Sequence, residues 1–355
     1  MNIFILPSNN KNNAYIDLLI KSLEEKGLKD LKIFRTKKDT VLEVFNQIVF
    51  CKIKSDRNII NIQWSTIIYG SKYLLKSLFT LCFNIILICI LKWFFRTKIV
   101  WTVHNNFAHD YKHKRLDLFG MRVLIHLSDV IIVQQKSTLV KFKNKYSNKN
   151  ILYLPHPNYI DVYGSVRDRD FDLRRSSGFE DSDIVLLSLG AIKKYKKNEE
   201  IIKAVSFNRV KFPELKLLII GKGDKDYIDS LNSLANNDSG IIVKNHFVPD
   251  LEIPRYISIA DCSIFYYDES EMTSGGIILS LSYGVPVISR NIAGAEMIDQ
   301  NSGFIFKDSN ELIDILSNLK SKIKNFKSSD IINSIKQDNW NYVSEELIKI
   351  YQTLK

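Results

Sequence analysis

The sequence predicts an α/β protein made of two doubly wound parallel-sheet domains, and three observations predict it. Short apolar runs rich in β-branched residues alternate with longer segments of helical period, the pattern of βα repeats. The series restarts once, after a charged stretch at 161–183 that is poor in apolar residues. At 355 residues, with 45% hydrophobic and 25% charged side chains, 14 Gly and 7 Pro, the chain suits two ordinary domains; it is not disordered, collagen-like or a small disulfide scaffold.

In the first half the strand-like runs are Asn2–Leu6, Leu31–Phe34, Asn58–Gln63, Lys98–Val103, Val130–Val133 and Ile151–Leu154, with helix-like segments near 13–26, 70–96, 115–127 and 135–147. The second half repeats the pattern with Ile184–Ser188, Lys216–Ile220, Gly240–Val243, Cys262–Phe265, Val285–Ser289 and Gly303–Phe306. Its helical segments lie near 197–209, 225–236, 253–260, 275–283 and 309–325. The expected division is a domain over 1–160, a linker over 161–182 and a domain over 183–338, both Rossmann-like. A closing helix over 339–355 carries Tyr342, Val343, Leu347, Ile350 and Tyr351 on one stripe after the second sheet has ended, and is expected to bury it on the first domain.

Charge divides the same way. Residues 1–160 hold 25 basic and 10 acidic side chains, residues 161–355 hold 25 and 29, and the chain carries +11. A basic first half points to a polyanionic partner, an anionic membrane surface or a nucleic acid. Cys51, Cys82, Cys89 and Cys262 are too far apart for CxxC pairs and sit in or beside apolar runs, which suits reduced thiols in the cytoplasm. Residues 1–10 lack a basic region and turn polar after six residues, so they do not read as a signal peptide. The most apolar run, Leu78–Leu91, has 14 residues and would reach roughly 21 Å as a helix, short of a bilayer core. It reads as a buried helix, with a surface-lying membrane helix as the alternative, because Lys72, Lys76, Lys92, Arg96 and Lys98 flank it.

Three segments carry chemistry. In LLSLGAIKKYKKNEEIIKAV (186–205) a strand ends at Gly190, a loop brings Lys193, Lys194, Lys196 and Lys197, and a helix begins near Asn198. Cations at a strand's carboxyl end beside a helix N-terminus favour an anion such as a diphosphate; the plainer reading is a solvated basic loop. In EMTSGGIILSLSYGVPVIS (271–289) Thr273, Ser274, Gly275 and Gly276 open an apolar helix, where glycines permit close approach of a phosphate, or simply cap a helix well. In KIVWTVHNNFAHDYKHK (98–114) a strand ends at Val103 and His104, Asn105, His109, Asp110 and His113 follow. These could orient or deprotonate a hydroxyl if the domains face each other; a polar turn or a metal site is the alternative, and the lysines alongside with no HExxH disfavour metal. Asp168-Arg169-Asp170 matches an Asp-x-Asp metal pair but lies in the polar linker and is set aside. The chain contains no GxxxxGK[ST], GxGxxG or GxSxG motif, which disfavours an ATPase, a dinucleotide enzyme or a serine hydrolase.

With these residues in view, the chain resembles a GT-B glycosyltransferase of family 4, the group 1 transferases, over nearly its whole length. Gly190 with Lys193 and Lys196 resembles the family's Gly…Arg…Lys clamp, with Lys193 in the usual arginine place. LLIIGKGD (217–224), NHFVPDLEIPRYISIADCSIFYY (245–267) and TSGGIILSLSYGVPVIS follow in the family's order. Of the family's two glutamates eight positions apart, Glu271 fills the first place and Leu279 the second, a departure that resembles a bacterial exopolysaccharide, capsule and O-antigen branch. NNAYIDLLIKSL (12–23), NIINIQW (58–64), WTVHNNFAHD (101–110) and PHPNYIDVYG (155–164) resemble that branch's first domain.

The resemblance implies two Rossmann-like domains facing across a cleft. It places the donor on Gly190, Lys193, Lys196, Phe247, Val248, Glu271, Thr273, Ser274, Gly275 and Gly276, with Asn13, Tyr15 and Asn105 on the acceptor side and His104, His109 and Asp110 as catalytic candidates. The expected activity is transfer of a hexosyl unit from a UDP- or GDP-linked sugar to a lipid-linked saccharide in surface polysaccharide synthesis, with retention, no metal and no cofactor. An inverting enzyme would instead need Asp110 or His109 as base. The implied location is the cytoplasmic membrane's inner face, which agrees with the basic first domain. Two alternatives stand beside it: a sugar-nucleotide 2-epimerase of the same fold, and a noncatalytic basic binding protein for membrane or nucleic acid, though no nucleic-acid motif is present.

Overall fold

The computed structural model describes residues 1–8, 14–50, 57–68, 73–105, 114–165, 169–236, 238–268 and 273–354. It forms two compact units, Met1–Pro157 with Trp340–Lys355, and Asn158–Asn339.

The first unit holds β1 (Asn2–Leu6), β2 (Lys32–Phe34), β3 (Asn58–Ile62), β4 (Lys98–Val103), β5 (Val130–Val133) and β6 (Ile151–Tyr153). All pair in parallel, in the order β2-β1-β3-β4-β5-β6. β1, β3 and β5 are buried along their whole length, which is why NIFIL, NIINI and VIIV read as continuous apolar runs rather than alternating ones. Helix Tyr15–Glu24 presents Tyr15, Ile16, Leu19, Ile20 and Leu23 to this sheet at helical spacing. The closing helix, Trp340–Thr353, buries Val343, Leu347, Ile348 and Tyr351 in the same core and packs on helix Tyr15–Glu24. Of the expected stripe Val343, Leu347 and Tyr351 are buried there, Ile350 is half-buried and Tyr342 is exposed.

The second unit holds β7 (Ile184–Leu189), β8 (Leu215–Gly221), β9 (Ile241–Asn245), β10 (Cys262–Phe265), β11 (Val287–Arg290) and β12 (Gly303–Phe306). These too are parallel, ordered β12-β11-β10-β7-β8-β9. The chain leaves β7 toward β8 and later returns to β7's other side as β10. The gap between the carboxyl ends of β7 and β10 is therefore this sheet's switch point, where open α/β sheets bind ligands.

Among the described residues, three α-helices fall outside the expected set: Val41–Val49, Phe171–Ser176 and Ser328–Ile335. The first is capped by Thr40, whose hydroxyl accepts from Glu43 N, and buries Val41, Val44 and Ile48. The second lies in the stretch expected as a linker, which folds into the second unit. Arg174 there is fully buried and donates to the carbonyls of Ile259 (2.5 Å) and Glu180 (3.1 Å), with Asp261 Oδ2 at 3.2 Å. Asp161, Asp172, Arg175, Glu180 and Asp181 of this stretch are exposed, as its composition suggests, whereas Arg174 is drawn into an internal ion pair. The expected buried helix over Leu78–Leu91 is longer, Leu74–Phe94, and only one of its faces is buried.

Candidate functional site

The second unit gathers groups suited to an anion at its switch point. β7 ends at Gly190, whose φ of 115° is open to glycine and strained for any other residue. A Cβ on Gly221, at the end of β8, would stand 1.9 Å from the Gly190 carbonyl oxygen, so Gly221 lets the loop after β7 lie close over β8. The loop forms one turn at Lys194–Lys196, and Lys197, in the left-handed region, starts helix Asn198–Arg209. Lys196 Nζ lies 3.2 Å from where a Cβ on Gly190 would be and 5.9 Å from the ring centroid of Tyr267. Lys193 is exposed on the same loop.

Across the switch point, Tyr267 continues the line of β10 and stacks on Tyr195 and Phe265. Its hydroxyl accepts from Ser274 Oγ at 2.7 Å, and Ser274 caps helix Gly275–Ser282 by accepting from Ile277 N at 3.2 Å. One serine therefore ties the helix N-terminus to the tyrosine that the Lys196 ammonium faces. Two nearly fully buried polar groups in these loops have no hydrogen-bond partner among the described residues, Thr273 Oγ1 and Asn198 Nδ2. Buried polar atoms are seldom left so, and both are of the kind that a bound oxygen-rich ligand satisfies. Gly275 has open space around its Cβ position, with only Tyr159 Oη within 4 Å, whereas a Cβ on Gly276 would press on the Phe265 ring at 2.9 Å. Packing, not ligand approach, requires the second glycine.

Beyond β9, His246 N donates to Gly221 O at 3.1 Å. Phe247 is exposed beside it, while Val248 is buried in the core with Leu187 and Leu218. Arg290, at the end of β11, donates to the Tyr267 carbonyl at 3.3 Å. Asp170 of the Asp-x-Asp sequence caps helix Phe171–Ser176 and pairs with Arg255 at 2.8 Å, a structural use. Glu271 and Asp168 lie outside the described residues.

The first unit gathers a different set at the carboxyl ends of β3 and β4. His104 and Asn105 line a small cleft with Trp64, Ser65 and Thr66. The His104 ring stacks on Trp64, centroids 4.9 Å apart, and meets the edge of Tyr15 at 5.1 Å. Tyr15 also packs against His156, and its hydroxyl accepts from Gln134 at 3.3 Å. A chain of buried polar groups runs beneath. Asn61 Nδ2 donates to Tyr351 Oη at 2.5 Å, Gln63 Nε2 donates to Asn61 Oδ1 at 2.9 Å, and Gln63 Oε1 lies 3.0 Å from His104 Nε2. With the Gln63 amide nitrogen donating to Asn61, its oxygen faces the imidazole, an arrangement that suits the tautomer protonated at Nε2; the Gln134 side chain contacts the same ring.

Burial, with His156 nearby, lowers the His104 pKa to about 3, and burial lowers that of His156 to about 4. Both rings are neutral at pH 7. Burial raises the Tyr15 phenol well above its ordinary value, so it stays protonated. His109, Asp110 and Asn13 lie outside the described residues. The structure thus brings Gly190, Lys196, Thr273 and Ser274 together in one unit, and His104, Tyr15 and Asn105 in the other. Sequence reading missed Tyr267 and Asn198 in the first group and Gln63, Trp64 and His156 in the second. For Asn198 and Gln63 a signal existed: a polar residue directly after a strand or at a helix start on the ligand side.

Comparison with known proteins agrees with the fold. A family model described as "Glycosyl transferases group 1" matches residues 183–322. An uncharacterised glycosyltransferase of Methanocaldococcus jannaschii is 25% identical over 208 residues, covering 54% of this chain and 48% of that protein, so the match spans about half of each. Among solved structures, sucrose-phosphate synthase of Thermosynechococcus elongatus aligns over 100% of this chain and 99% of its own, at 12% identity and a TM-score of 0.74. Anabaena HepE in complex with UDP and glucose aligns over 99% and 100%, at 13% identity and a TM-score of 0.70. The chain has the two-domain Rossmann-like GT-B fold, and its second unit is the part that matches the group 1 glycosyl transferases.

Proposed function

We propose that the protein is a glycosyltransferase that moves a hexosyl unit from a UDP- or GDP-linked sugar to a lipid-linked saccharide in surface polysaccharide synthesis, at the inner face of the cytoplasmic membrane. The observation that carries the donor half is the switch-point geometry of the second unit. Lys196 is held over Gly190 and faces Tyr267, the helix Gly275–Ser282 starts beside it, and Asn198 Nδ2 and Thr273 Oγ1 await partners. In the proposed reaction the acceptor oxygen bonds to the sugar's anomeric carbon as that carbon's bond to the diphosphate breaks, the leaving oxygens gain charge, and the hydroxyl proton passes to the departing diphosphate. The Lys193 and Lys196 ammonium groups and the helix N–H donors stabilise that charge, the task a divalent cation performs elsewhere. Glu271 is assigned to the donor's ribose by resemblance, as the backbone near Phe247 and Val248 is to its base.

On the acceptor side, His104 Nδ1 accepts a hydrogen bond from the acceptor hydroxyl and orients it. An imidazole with a pKa of about 3 is a poor proton sink at neutral pH, so orientation is the role assigned to it, in keeping with a retaining reaction that needs no strong base. His109 and Asp110 are kept as further acceptor-side candidates.

Calorimetry with UDP, GDP, ADP and CMP in EDTA tests the donor site without knowledge of the acceptor. One nucleoside diphosphate should bind, and Lys196→Met should weaken it by roughly 10- to 150-fold, the value of one charge-assisted hydrogen bond. Absence of binding by all four, or unchanged affinity in Lys196→Met, would refute the assignment.

A further inference from the structure

Helix Leu74–Phe94 has no charged residue between Lys76 and Lys92. Its inner face, with Leu81, Asn84, Ile88 and Leu91, is buried in the first unit, and Asn84 Nδ2 donates to the Ile68 carbonyl at 3.1 Å. The outer face is just as apolar and is uncovered. Leu75 is 81% exposed, Phe79 73%, Ile86 57%, Trp93 67% and Phe94 80%. Single exposed apolar residues are ordinary, but a stripe roughly 27 Å long is not. The helix packs against helices Val41–Val49 and Lys114–Leu127, which bring exposed Phe50 and Phe119 of their own.

At the carboxyl end of this helix lies a cleft of about 420 Å³ lined by Arg57, Lys92, Arg96 and Lys98, with Trp93 and Asp129. Among the described residues that line it, four are cations and one, Asp129, is a carboxylate. That carboxylate is already engaged: Asp129 Oδ2 accepts from Lys92 Nζ at 2.6 Å and from Ile99 N at 2.8 Å. Arg96 holds a φ of 50°, where glycine would be the ordinary residue. Thr97, in the wall of the cleft, is fully buried, and its hydroxyl has no partner among the described residues.

We infer that this face is a docking surface for a bilayer rich in anionic lipid, with the helix lying in the plane of the interface and lipid phosphates drawn to the cleft at its end. Apolar residues along the middle, with Tyr73 and Trp93 and the cations Lys72, Lys76, Lys92, Arg96 and Lys98 toward the two ends, form the pattern of an interfacial helix. The helix is long and apolar enough to cross a membrane. Crossing would strip Leu81, Ile88 and Leu91 from the core and release Asn84, so the in-plane arrangement is the one that keeps the fold. A second copy of the chain is the weaker occupant, because pairing these helices would bring cations from both copies together.

The inference rests on the lipid-linked acceptor reading for its purpose, and its test needs no sugar. Vesicles of phosphatidylcholine alone, and with 30% phosphatidylglycerol, are sedimented with the protein at several salt concentrations. The protein should follow the anionic vesicles, less so at high salt, with a blue shift of fluorescence that is absent in Trp93→Phe. Leu75→Gln/Phe79→Gln should reduce the partition coefficient at least tenfold. Arg96→Gly, which removes a charge while relieving the backbone, combined with Lys98→Gln should flatten the salt dependence. Unchanged vesicle binding in both variants would overturn the inference, as would no binding by the unaltered chain, or a dimer in solution that Leu75→Gln/Phe79→Gln dissolves. Nucleotide binding measured on the same samples separates the two claims: its absence sinks the transferase reading and leaves the docking surface standing.

Discussion

The first unit should lose stability steeply on mild acidification because of two histidines. In the unfolded chain His104 and His156 titrate near the ordinary value of about 6.5. In the folded chain burial holds them at about 3 and about 4. Between those limits the unfolded state binds more protons, so stability is present above pH 6.5 and is lost as pH falls toward the folded values. At pH 5 each ring lies about 1.5 units below its unfolded value, which at about 1.4 kcal/mol per unit removes about 2 kcal/mol, or about 4 kcal/mol for both. That is a large part of the 5–15 kcal/mol typical of a domain. Hydrogen exchange of amides in β3 and β4, corrected for intrinsic rates, follows the first unit by itself at pH 7.5 and pH 5. His104→Gln/His156→Gln should reduce the pH-dependent loss by about 4 kcal/mol, leaving the share due to carboxylates. Equal losses in the variant and the parent would refute the reasoning, and so would imidazole resonances that titrate near 6.5 in the folded protein.

Three further outcomes follow from the same geometry. Gly221→Ala and Gly303→Ala each place a Cβ 1.9 Å from a backbone oxygen, of Gly190 and Val287 respectively, and each should destabilise the second unit by about 1–3 kcal/mol. Only Gly221→Ala should also weaken nucleotide binding in calorimetry, since Gly303 supports the far strand pair. Arg174→Met should cost about 1–3 kcal/mol in urea unfolding because it leaves the Ile259 and Glu180 carbonyls without their buried donor, while Asp261 keeps its pair with Arg169. His104→Asn should lower kcat with little change in its pH dependence above pH 5.5, as suits an orienting group; an ascending limb near pH 6.5 that vanishes in the variant would instead make His104 the base.

The parallel sheets were legible because their strands are buried on both faces: NIFIL, NIINI and VIIV could be little else. Strand order was not legible, since nothing in a buried apolar run says which neighbour it takes. Helix Val41–Val49 escaped notice because VLEVFNQIV is short and rich in β-branched residues; its cap, Thr40 with Glu43, was the local signal. Arg174 misled in the opposite direction, since a charged stretch reads as solvated unless its partner, Asp261, is known to lie 87 residues on. Helix Leu74–Phe94 shows a further limit: hydropathy measures how apolar a segment is, not what covers it. A core helix and a lipid-facing one look alike in composition, and only the three-dimensional structure distinguishes the covered face from the bare one. In the candidate site, Gly190, Lys196 and Ser274 were readable as residues suited to an anion. The Tyr267 hydroxyl that links Ser274 to the place Lys196 faces was not, because a tyrosine at a strand end is ordinary.

The division of labour proposed for the two units would follow from their electrostatics. In the first, burial and the neighbouring His156 keep His104 uncharged, against a smaller opposing effect of the Gln134 side chain. The rings of Tyr15 and Trp64 pack against it, and Gln63, itself held through Asn61 by Tyr351 of the closing helix, turns its oxygen to Nε2. Such a site orders a neutral hydroxyl well and takes up its proton poorly. In the second, Lys193 and Lys196, a capped helix start and the buried Asn198 Nδ2 and Thr273 Oγ1, which have no partner among the described residues, suit a bound anion. If the proposed transfer is correct, the barrier must fall chiefly by stabilising the departing diphosphate, because the acceptor side has no described group able to accept a full proton early. The acceptor's proton then leaves late, and the departing phosphate oxygen is the base that the reaction itself creates.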